Sequence, residues 1–259
     1  MANKFVFLPP QSDLFAKWIP RLLDSAPGWD IATPNTEEDA LLELADADAA
    51  FGTLTPKLLA AAPNLRWLQA PAAAPNAGFY FDELVAHPTA VTNMREIYND
   101  HISIQILAYI LSFTKHYNVY RDQQREHKYE VLRAPNHDIF LPESTVLIVG
   151  VGGIGSETAR ICKAVGMHVL GIDARREDKP EWVDDMFGPD ELDAQLPKAD
   201  FVVLTIPHTP ATEGLFDSSK FALMKESAIF INIGRGMTTK LDDLNAALQS
   251  GAIGGAALD

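Results

Sequence analysis

A glycine-rich segment between two apolar runs constrains this chain more than any other feature. The run Val146–Val149 has the length of a buried parallel strand and leads into glycines with G-x-G-x-x-G spacing. A helical pattern follows, and a second apolar run ends at Asp173, twenty-three residues after Gly150. Strand, glycine turn, helix, strand and terminal acid in this order predict a βαβ unit.

Each part of this unit has a physical role in binding a dinucleotide. Gly150 permits a tight turn, Gly152 lets a diphosphate approach the backbone, and Gly155 lets helix and strand pack closely. The N–H groups at the helix start attract the anion, and Asp173 accepts hydrogen bonds from the adenosine ribose. The alternative is that the glycines only form a tight turn. The predicted loop residues are Gly150, Gly152, Gly153, Ile154 and Gly155.

Length and charge limit the class of protein. The chain has 259 residues, enough for one or two domains, and 47% of them are hydrophobic. Its formal net charge is −14, with a pI near 4.8. Such a field repels polyanions, which argues against nucleic acid and anionic membranes as partners. A small anionic substrate would need a local positive charge to offset it.

Cysteine content and hydropathy bear on location. Cys162 is the single cysteine in the sequence, so neither an intrachain disulfide nor a cysteine-rich metal site can form, and we predict no metal site. The first ten residues contain too short an apolar run for a signal peptide, and no stretch approaches the length of a membrane span. We expect a cytoplasmic protein.

The remaining sequence predicts an α/β protein with two domains. Strand and helix patterns alternate over residues 1–99, which indicates a smaller α/β domain of flavodoxin type. Residues 100–130 are predicted to form one long connector helix. Residues 131–259 carry the glycine motif and three further core strands, which predicts a Rossmann domain with a doubly wound parallel sheet.

Five motifs at these intervals are similar to those of the D-isomer-specific 2-hydroxyacid dehydrogenases. They are VLIVGVGGIGSETAR, GID, TIPHTPATEGLF, INIGRGMTT and GAALD, spread between Val146 and Asp259. The resemblance implies a Rossmann cofactor domain beside a smaller substrate domain. It also implies hydride transfer between NAD(P)H and C2 of a small 2-oxo acid. In that family an arginine holds the substrate carboxylate, a histidine is the general acid or base, and a glutamate orients the histidine.

Arg235, in Gly234-Arg235-Gly236, matches the family's arginine, and a guanidinium at a strand end can grip a carboxylate through two hydrogen bonds. The resemblance also places Ala73 and Ala74 in the substrate loop, although the alanines and Pro75 depart from the usual glycine-containing pattern. The residues that it places along the cofactor are Pro207, His208, Thr212, Ile233 and Asp259, with Asp259 bonding the nicotinamide carboxamide.

The family's glutamate and histidine follow the strand that reads GAALD here, and the sequence stops on that strand. We therefore expect a chain truncated at its C-terminus, either a fragment or a product without its acid/base pair. It should bind dinucleotide and turn over 2-oxo acids weakly. His101 and His208 lie at cleft-facing places, and for both we favour structural roles.

Asp173 favours NAD, because a carboxylate there bonds the ribose 2′-hydroxyl and repels a 2′-phosphate. Arg175 and Arg176 follow directly and make NADP the second choice. An NAD-sensing, corepressor-like binding protein of the same fold is the alternative function. A short-chain dehydrogenase would need a Tyr-x-x-x-Lys motif, and no tyrosine follows Gly155. The resemblance further implies a homodimer.

Overall fold

The computed structural model describes residues 3–73, 76, 78–132 and 139–259, and the chain divides into two compact units. Unit 1 is Met1–Ile97 and unit 2 is Tyr98–Asp259. Each contains one parallel sheet with helices, so the predicted α/β class is confirmed. Within the described ranges, no helix combines the length and apolar character needed to cross a bilayer.

Unit 1 contains a five-stranded parallel sheet of order β2-β1-β3-β4-β5, which is the flavodoxin-like order predicted for this part of the chain. Its strands are β1 (Asn3–Phe7), β2 (Trp29–Ala32), β3 (Ala49–Phe51), β4 (Trp67–Gln69) and β5 (Ala90–Thr92). Its helices are α1 (Asp13–Ser25), α2 (Glu37–Leu44), α3 (Pro56–Ala60) and α4 (Asp82–Ala86). Helix α2 begins at a capping contact, in which the Thr36 hydroxyl accepts the Asp39 N–H at 3.1 Å.

The two faces of the unit 1 sheet differ in composition. Val6, Ala50 and Leu68 lie side by side on one face and are fully buried among aliphatic side chains. The opposite face carries aromatic rings, including those of Phe7 and Phe51, whose centroids lie 5.5 Å apart. This difference follows from the alternation of side chains along each strand.

Unit 2 contains a six-stranded parallel sheet of order β11-β10-β9-β6-β7-β8, the doubly wound Rossmann order that was predicted. The strands are β6 (Thr145–Val149), β7 (His168–Ile172), β8 (Asp185–Phe187), β9 (Phe201–Leu204), β10 (Ile229–Asn232) and β11 (Gly255–Leu258). The helices are α5 (Asn99–Thr114), α6 (Tyr117–Arg125), α7 (Gly153–Ala164), α8 (Leu192–Gln195), α9 (Ser218–Phe221) and α10 (Leu241–Ser250). Short 3₁₀ turns span Leu141–Glu143, Pro189–Glu191, Leu196–Lys198 and Gly236–Thr238.

Both faces of the unit 2 sheet are buried. Along β6, Leu147 and Val149 enter one core cluster, whereas Val146 and Ile148 enter the other. All residues of β9 and β10 are buried as well. Continuous apolar runs in the sequence therefore correspond to strands that are covered on both sides, as expected for a parallel sheet.

The predicted single helix over residues 100–130 is wrong, because two helices occupy this segment. Helix α5 ends at Thr114 and α6 begins at Tyr117, and between them His116 adopts a left-handed conformation with φ of 51°. No glycine or proline marks this break in the sequence. Helix α5 packs against α7, where the Ser103 hydroxyl donates to the Ile154 carbonyl at 3.1 Å, and it belongs to unit 2.

Candidate cofactor site

Two glycines allow the tight turn between β6 and α7. Gly150 has φ of +98°, and a Cβ there would lie 2.8 Å from Cγ2 of Ile206. A Cβ on Gly155 would overlap the carbonyl oxygen of Gly150. Only glycine fits at both positions, so the strand-to-helix corner predicted from the motif is formed by close backbone packing.

Gly152 and Gly153 differ in what lies in front of them. A Cβ on Gly152 would meet nothing within 4 Å, so this residue borders open space. A Cβ on Gly153 would lie 2.5 Å from Nδ2 of Asn99, because the Asn99 amide covers this glycine. Sequence reasoning missed Asn99. The sign of this contact in the sequence is Gly153, a glycine at a position where the G-x-G-x-x-G pattern allows any residue.

The N-terminus of α7 opens onto the same space. Its first backbone hydrogen bond runs from the Ser156 N–H to the Gly152 carbonyl at 2.8 Å. The N–H groups of Gly153, Ile154 and Gly155 precede that bond, and such groups are the anion-binding donors of a helix. The open space before Gly152 and the adjoining N–H groups fit a diphosphate.

Asp173 directly follows β7 and contacts the glycine loop. Its Oδ2 accepts the Val151 N–H at 2.8 Å, and its Oδ1 accepts the N–H groups of Arg175 and Arg176 at 2.8 and 3.1 Å. Carboxylate oxygens have further lone pairs, which leaves Asp173 able to accept hydroxyl groups as well. The Arg175 side chain is exposed, whereas that of Arg176 is partly buried against the loop.

The loop after β9 contains Pro207, His208 and Thr212. The Thr212 hydroxyl donates to the Pro207 carbonyl at 2.7 Å and accepts the Thr209 N–H at 2.8 Å, which closes the loop on itself. His208 Nε2 lies 3.5 Å from a carboxylate oxygen of Glu213. Pro207 and His208 are exposed beyond the sheet edge.

The loop after β10, residues 233–239, is called the Arg235 loop. It is held in place by the buried amide of Asn232, a residue that the sequence analysis did not predict. Its Nδ2 donates to the Arg235 carbonyl at 3.3 Å and to the hydroxyls of Thr238 and Thr239 at 3.2 and 3.0 Å. Its Oδ1 accepts the Gly234 N–H at 2.9 Å. The Arg235 side chain is exposed and donates to the Gly234 carbonyl at 2.8 Å. One amide therefore fixes the backbone that presents this guanidinium.

Three of these loops meet at one edge of the sheet. The Thr205 hydroxyl, after β9, donates to the Gly150 carbonyl, after β6. A Cβ on Gly234, after β10, would lie 2.5 Å from the Ile206 carbonyl oxygen. The contact between β6 and β9 is the point where the strand order reverses, and ligands of doubly wound sheets bind outside this point.

The remaining predicted residues lie in separate places. Asp259 is exposed, and its N–H donates to the Asn232 carbonyl at 3.0 Å, beside the Arg235 loop. The Ile233 N–H donates to the Leu204 carbonyl at 3.2 Å. Ala73 belongs to unit 1, where its carbonyl accepts the Asn93 amide at 2.9 Å. Ala74 lies outside the described residues.

Glycine corner, helix start, terminal acid and strand order together define unit 2 as a dinucleotide-binding domain of the Rossmann class. A family model, D-isomer specific 2-hydroxyacid dehydrogenase, NAD binding domain, matches residues 107–259. This is more than half of the chain, and the protein belongs to the D-isomer specific 2-hydroxyacid dehydrogenase family. The predicted resemblance is confirmed.

Named relatives match parts of this chain. The human glyoxylate reductase/hydroxypyruvate reductase is 43% identical over 122 residues, covering 46% of this chain and 36% of that protein. The D-lactate dehydrogenase of Streptococcus pyogenes serotype M1 is 30% identical over 169 residues, covering 65% of this chain and 50% of that protein. The chain thus spans between about a third and a half of the length of these relatives.

A solved structure matches along the whole chain. It is a D-isomer specific 2-hydroxyacid dehydrogenase family protein from Aeromonas salmonicida subsp. salmonicida A449, with a TM-score of 0.82 and 27% sequence identity. The match covers 100% of this chain and 81% of that one. Both units therefore have counterparts in one family member.

Proposed function

We propose that this protein is an NAD(P)-dependent D-2-hydroxyacid dehydrogenase. The observation that carries the proposal is the meeting of the glycine loop and the Arg235 loop at one sheet edge, through Ile206. A nicotinamide cofactor bound there supplies the hydride that passes to or from C2 of a small 2-oxo or 2-hydroxy acid. Family membership and the named dehydrogenases and reductases support this reaction class.

The chain's own residues would hold the cofactor through backbone and carboxylate groups. The N–H groups at the start of α7 would bind the diphosphate, and Asp173 would accept the ribose hydroxyls. The loop of Pro207, His208 and Thr212, with Ile233 and Asp259, would border the nicotinamide half. We propose NAD as the cofactor, with NADP second.

Arg235 would hold the substrate carboxylate. Its guanidinium is exposed at the edge of the sheet, on a loop fixed by the buried Asn232. A planar guanidinium can bind a carboxylate through two hydrogen bonds, which also orients the carbonyl next to it. It supplies the local positive charge that an anionic substrate needs in a protein of net charge −14.

The first test separates dinucleotide binding from folding. In Gly152→Ala the new methyl group faces open space, so the fold should remain, but the methyl would occupy the position of the diphosphate. We expect NADH binding, measured by fluorescence titration, to weaken by at least about tenfold. Gly188→Ala is the matched control, because Gly188 is also extended and faces open space. Equal NADH binding by both variants would contradict the proposed site.

The second test concerns Arg235. We expect Arg235→Ala to weaken the binding of glyoxylate or hydroxypyruvate to the NADH complex by about 10- to 100-fold, the usual cost of a lost charged hydrogen bond. Quenching of the bound NADH fluorescence reports this binding even when turnover is slow. Arg21→Ala, an exposed arginine on α1, is the control. NADH binding without any response to 2-oxo acids would favour the NAD-sensing alternative.

We also propose a homodimer that pairs through unit 2. Exposed apolar and aromatic side chains lie on α5, on α6 and in the segment after α6, including Ile104, Tyr117 and Tyr129. A groove of about 700 Å³ is lined by Tyr117, Tyr120, Tyr129 and Val131 together with the polar or charged side chains of Arg121, Gln123, Gln124 and Lys128. Tyr117→Asp should shift sedimentation towards the monomer, whereas Tyr80→Asp in unit 1 should not. Sedimentation of the unaltered protein as a monomer would contradict this proposal.

A cytoplasmic location is proposed from the state of the cysteine. Cys162 is a free thiol in the interior of unit 2, which suits a reducing compartment. Fractionation of the source cells, with detection by antibody, would test the proposed location directly.

A further inference from the structure

Arg176 is bonded along both edges of its guanidinium. Nη1 donates to the Val151 carbonyl at 2.8 Å and to the Ser156 hydroxyl at 2.9 Å, which ties it to the glycine loop. Nε and Nη2 donate to the two carboxylate oxygens of Asp178 at 2.8 and 3.0 Å. One edge of the guanidinium thus contacts the glycine loop, and the other edge is bonded to the Asp178 carboxylate.

The same loop residue connects Arg176 to the expected ribose site. Val151 donates its N–H to Asp173 and accepts Arg176 at its carbonyl. The Arg176 N–H also donates to Asp173, at 3.1 Å. If Asp173 binds the ribose hydroxyls, as the proposed function requires, the Arg176 guanidinium contacts the same loop residue, Val151, as the ribose-binding carboxylate, which makes it the candidate partner of a 2′-phosphate.

A 2′-phosphate would use the outer edge of this guanidinium. Arginine binds phosphate through two parallel N–H groups, as it binds a carboxylate. The edge made by Nε and Nη2 offers that pair, and Asp178 already occupies it. Asp178 is 68% exposed, so a substitution there removes no core packing. An exposed aspartate is ionised at neutral pH, and the hydrogen bond from Arg176 lowers the pKa of Asp178 further.

We propose that Asp178 selects against NADP(H) by occupying the phosphate-binding edge of Arg176. Asp173 binds the ribose hydroxyls, whereas Asp178 makes the partly buried guanidinium of Arg176 unavailable to a phosphate. This inference rests on the proposed dinucleotide site and adds a specificity-determining residue to it.

The test is a set of fluorescence titrations with NADH and with NADPH at about 0.15 M salt, where long-range charge effects are screened. We expect Asp178→Ala to strengthen NADPH binding about tenfold and to leave NADH binding within about twofold. Glu177→Ala is the matched control, since it removes the same charge from the neighbouring exposed position. In the Arg176→Ala background, Asp178→Ala should bring no gain in NADPH binding.

Three results would overturn the proposal alone, with NADH still bound. They are unchanged NADPH binding in Asp178→Ala, an equal gain in Glu177→Ala, and a gain that persists without Arg176. If the unaltered protein bound neither NADH nor NADPH, the proposed dinucleotide site would itself be wrong, and this proposal would fail with it. Far-UV circular dichroism of each variant separates loss of binding from loss of fold.

Discussion

The two sheets of this protein are built from the same parallel arrangement but are covered differently. In unit 2 both faces are packed with fully buried side chains, so that Phe230 and Ile231 on successive positions of β10 are each 0% exposed. In unit 1 one face has an aliphatic core, whereas the aromatic face leaves Trp67 38% exposed. Strand alternation alone does not decide burial. The burial of a strand residue also depends on which helices cover that face of the sheet.

The polar contacts of the two units differ in the same direction. In unit 2 the buried amide of Asn232 contacts four groups of the Arg235 loop. In unit 1 a chain of side-chain hydrogen bonds joins strands β4 and β5, from Trp67 through Thr92 to Gln69, and none of these three residues is buried. Buried hydrogen bonds hold their groups more firmly than exposed ones, because water competes for the latter. The unit with the buried polar contacts is the one that carries the candidate site.

The largest expected effect compares the two cores. Phe230→Ala should lower the free energy of unfolding by about 3–5 kcal/mol, because it leaves a cavity beside Phe216 and Phe221. Trp67→Ala should cost about 1–2 kcal/mol, since that ring already contacts solvent. Urea unfolding followed by far-UV circular dichroism measures both. Equal losses would show that the two side chains contribute equally to stability despite their different burial.

The second prediction compares the two sets of polar contacts. Asn232→Ala should cost about 2–3 kcal/mol of unfolding free energy, because it leaves buried groups of the Arg235 loop without their partner. Gln69→Ala should cost less than about 1 kcal/mol, since water can replace its contacts. Denaturant titration of both variants checks this. A larger loss for Gln69→Ala would show that exposed contacts between β4 and β5 stabilise unit 1 more than buried contacts stabilise unit 2.

A third effect depends on pH. Burial alone would raise the pKa of Asp184, but the Lys163 and Val169 hydrogen bonds and the nearby charges of Lys163 and His168 lower it. Because the pKa is lower in the folded protein, the stabilisation is present above about pH 4 and is lost as the pH falls through the folded value.

Asp184→Asn should therefore cost about 1 kcal/mol at pH 7, discounted for partial exposure, and the difference from the unaltered protein should vanish in strong acid. Thermal unfolding across pH 3 to about pH 7 measures it. Asp46→Asn in unit 1, an exposed partner of Lys4, should change stability less. A difference that persists in acid would mean that the lost packing, not the charge, stabilises unit 2.

The smallest expected effect concerns the reactivity of the Cys162 thiol. Burial raises the pKa of the Cys162 thiol to about 12, and the residue is 1% exposed. A thiol reagent at pH 8 should not react with the folded protein, because neither access nor thiolate is available. Reaction in increasing urea then reports the opening of unit 2 alone, since Cys162 is the sole cysteine of the sequence. Rapid labelling without urea would show that this core opens readily.

The sequence predicted the parts of the fold that have long patterns. The apolar runs of β6 and β7, and Asp173 at the end of β7, were recognised because each has a distinctive length or spacing. Strands β5 and β8 mix polar and apolar residues within three positions, so neither was predicted, whereas β3, which is equally short but wholly apolar, was predicted as Ala49–Phe51. The break at His116 was missed because nothing in its residue type stops a helix.

The residues of the candidate site also fall into two groups, those that a sequence motif predicts and those whose contacts only the fold shows. The glycines and Arg235 could be proposed from the sequence because they lie in recognisable motifs. Asn99 and Asn232 were missed, because an asparagine that covers a glycine or fixes a loop looks like any other asparagine until the fold brings its partners near. Arg175 and Arg176 are adjacent and of one type. Only the path of the chain after β7 shows that the second turns back onto the glycine loop.

Val151 is held at both its N–H and its carbonyl by side chains from a single turn of neighbouring chain. A loop whose polar groups are already engaged has little conformational freedom left to lose when a ligand arrives. The entropy given up on association would therefore come mainly from the nucleotide, while the polypeptide around Val151 keeps the shape that it has on its own.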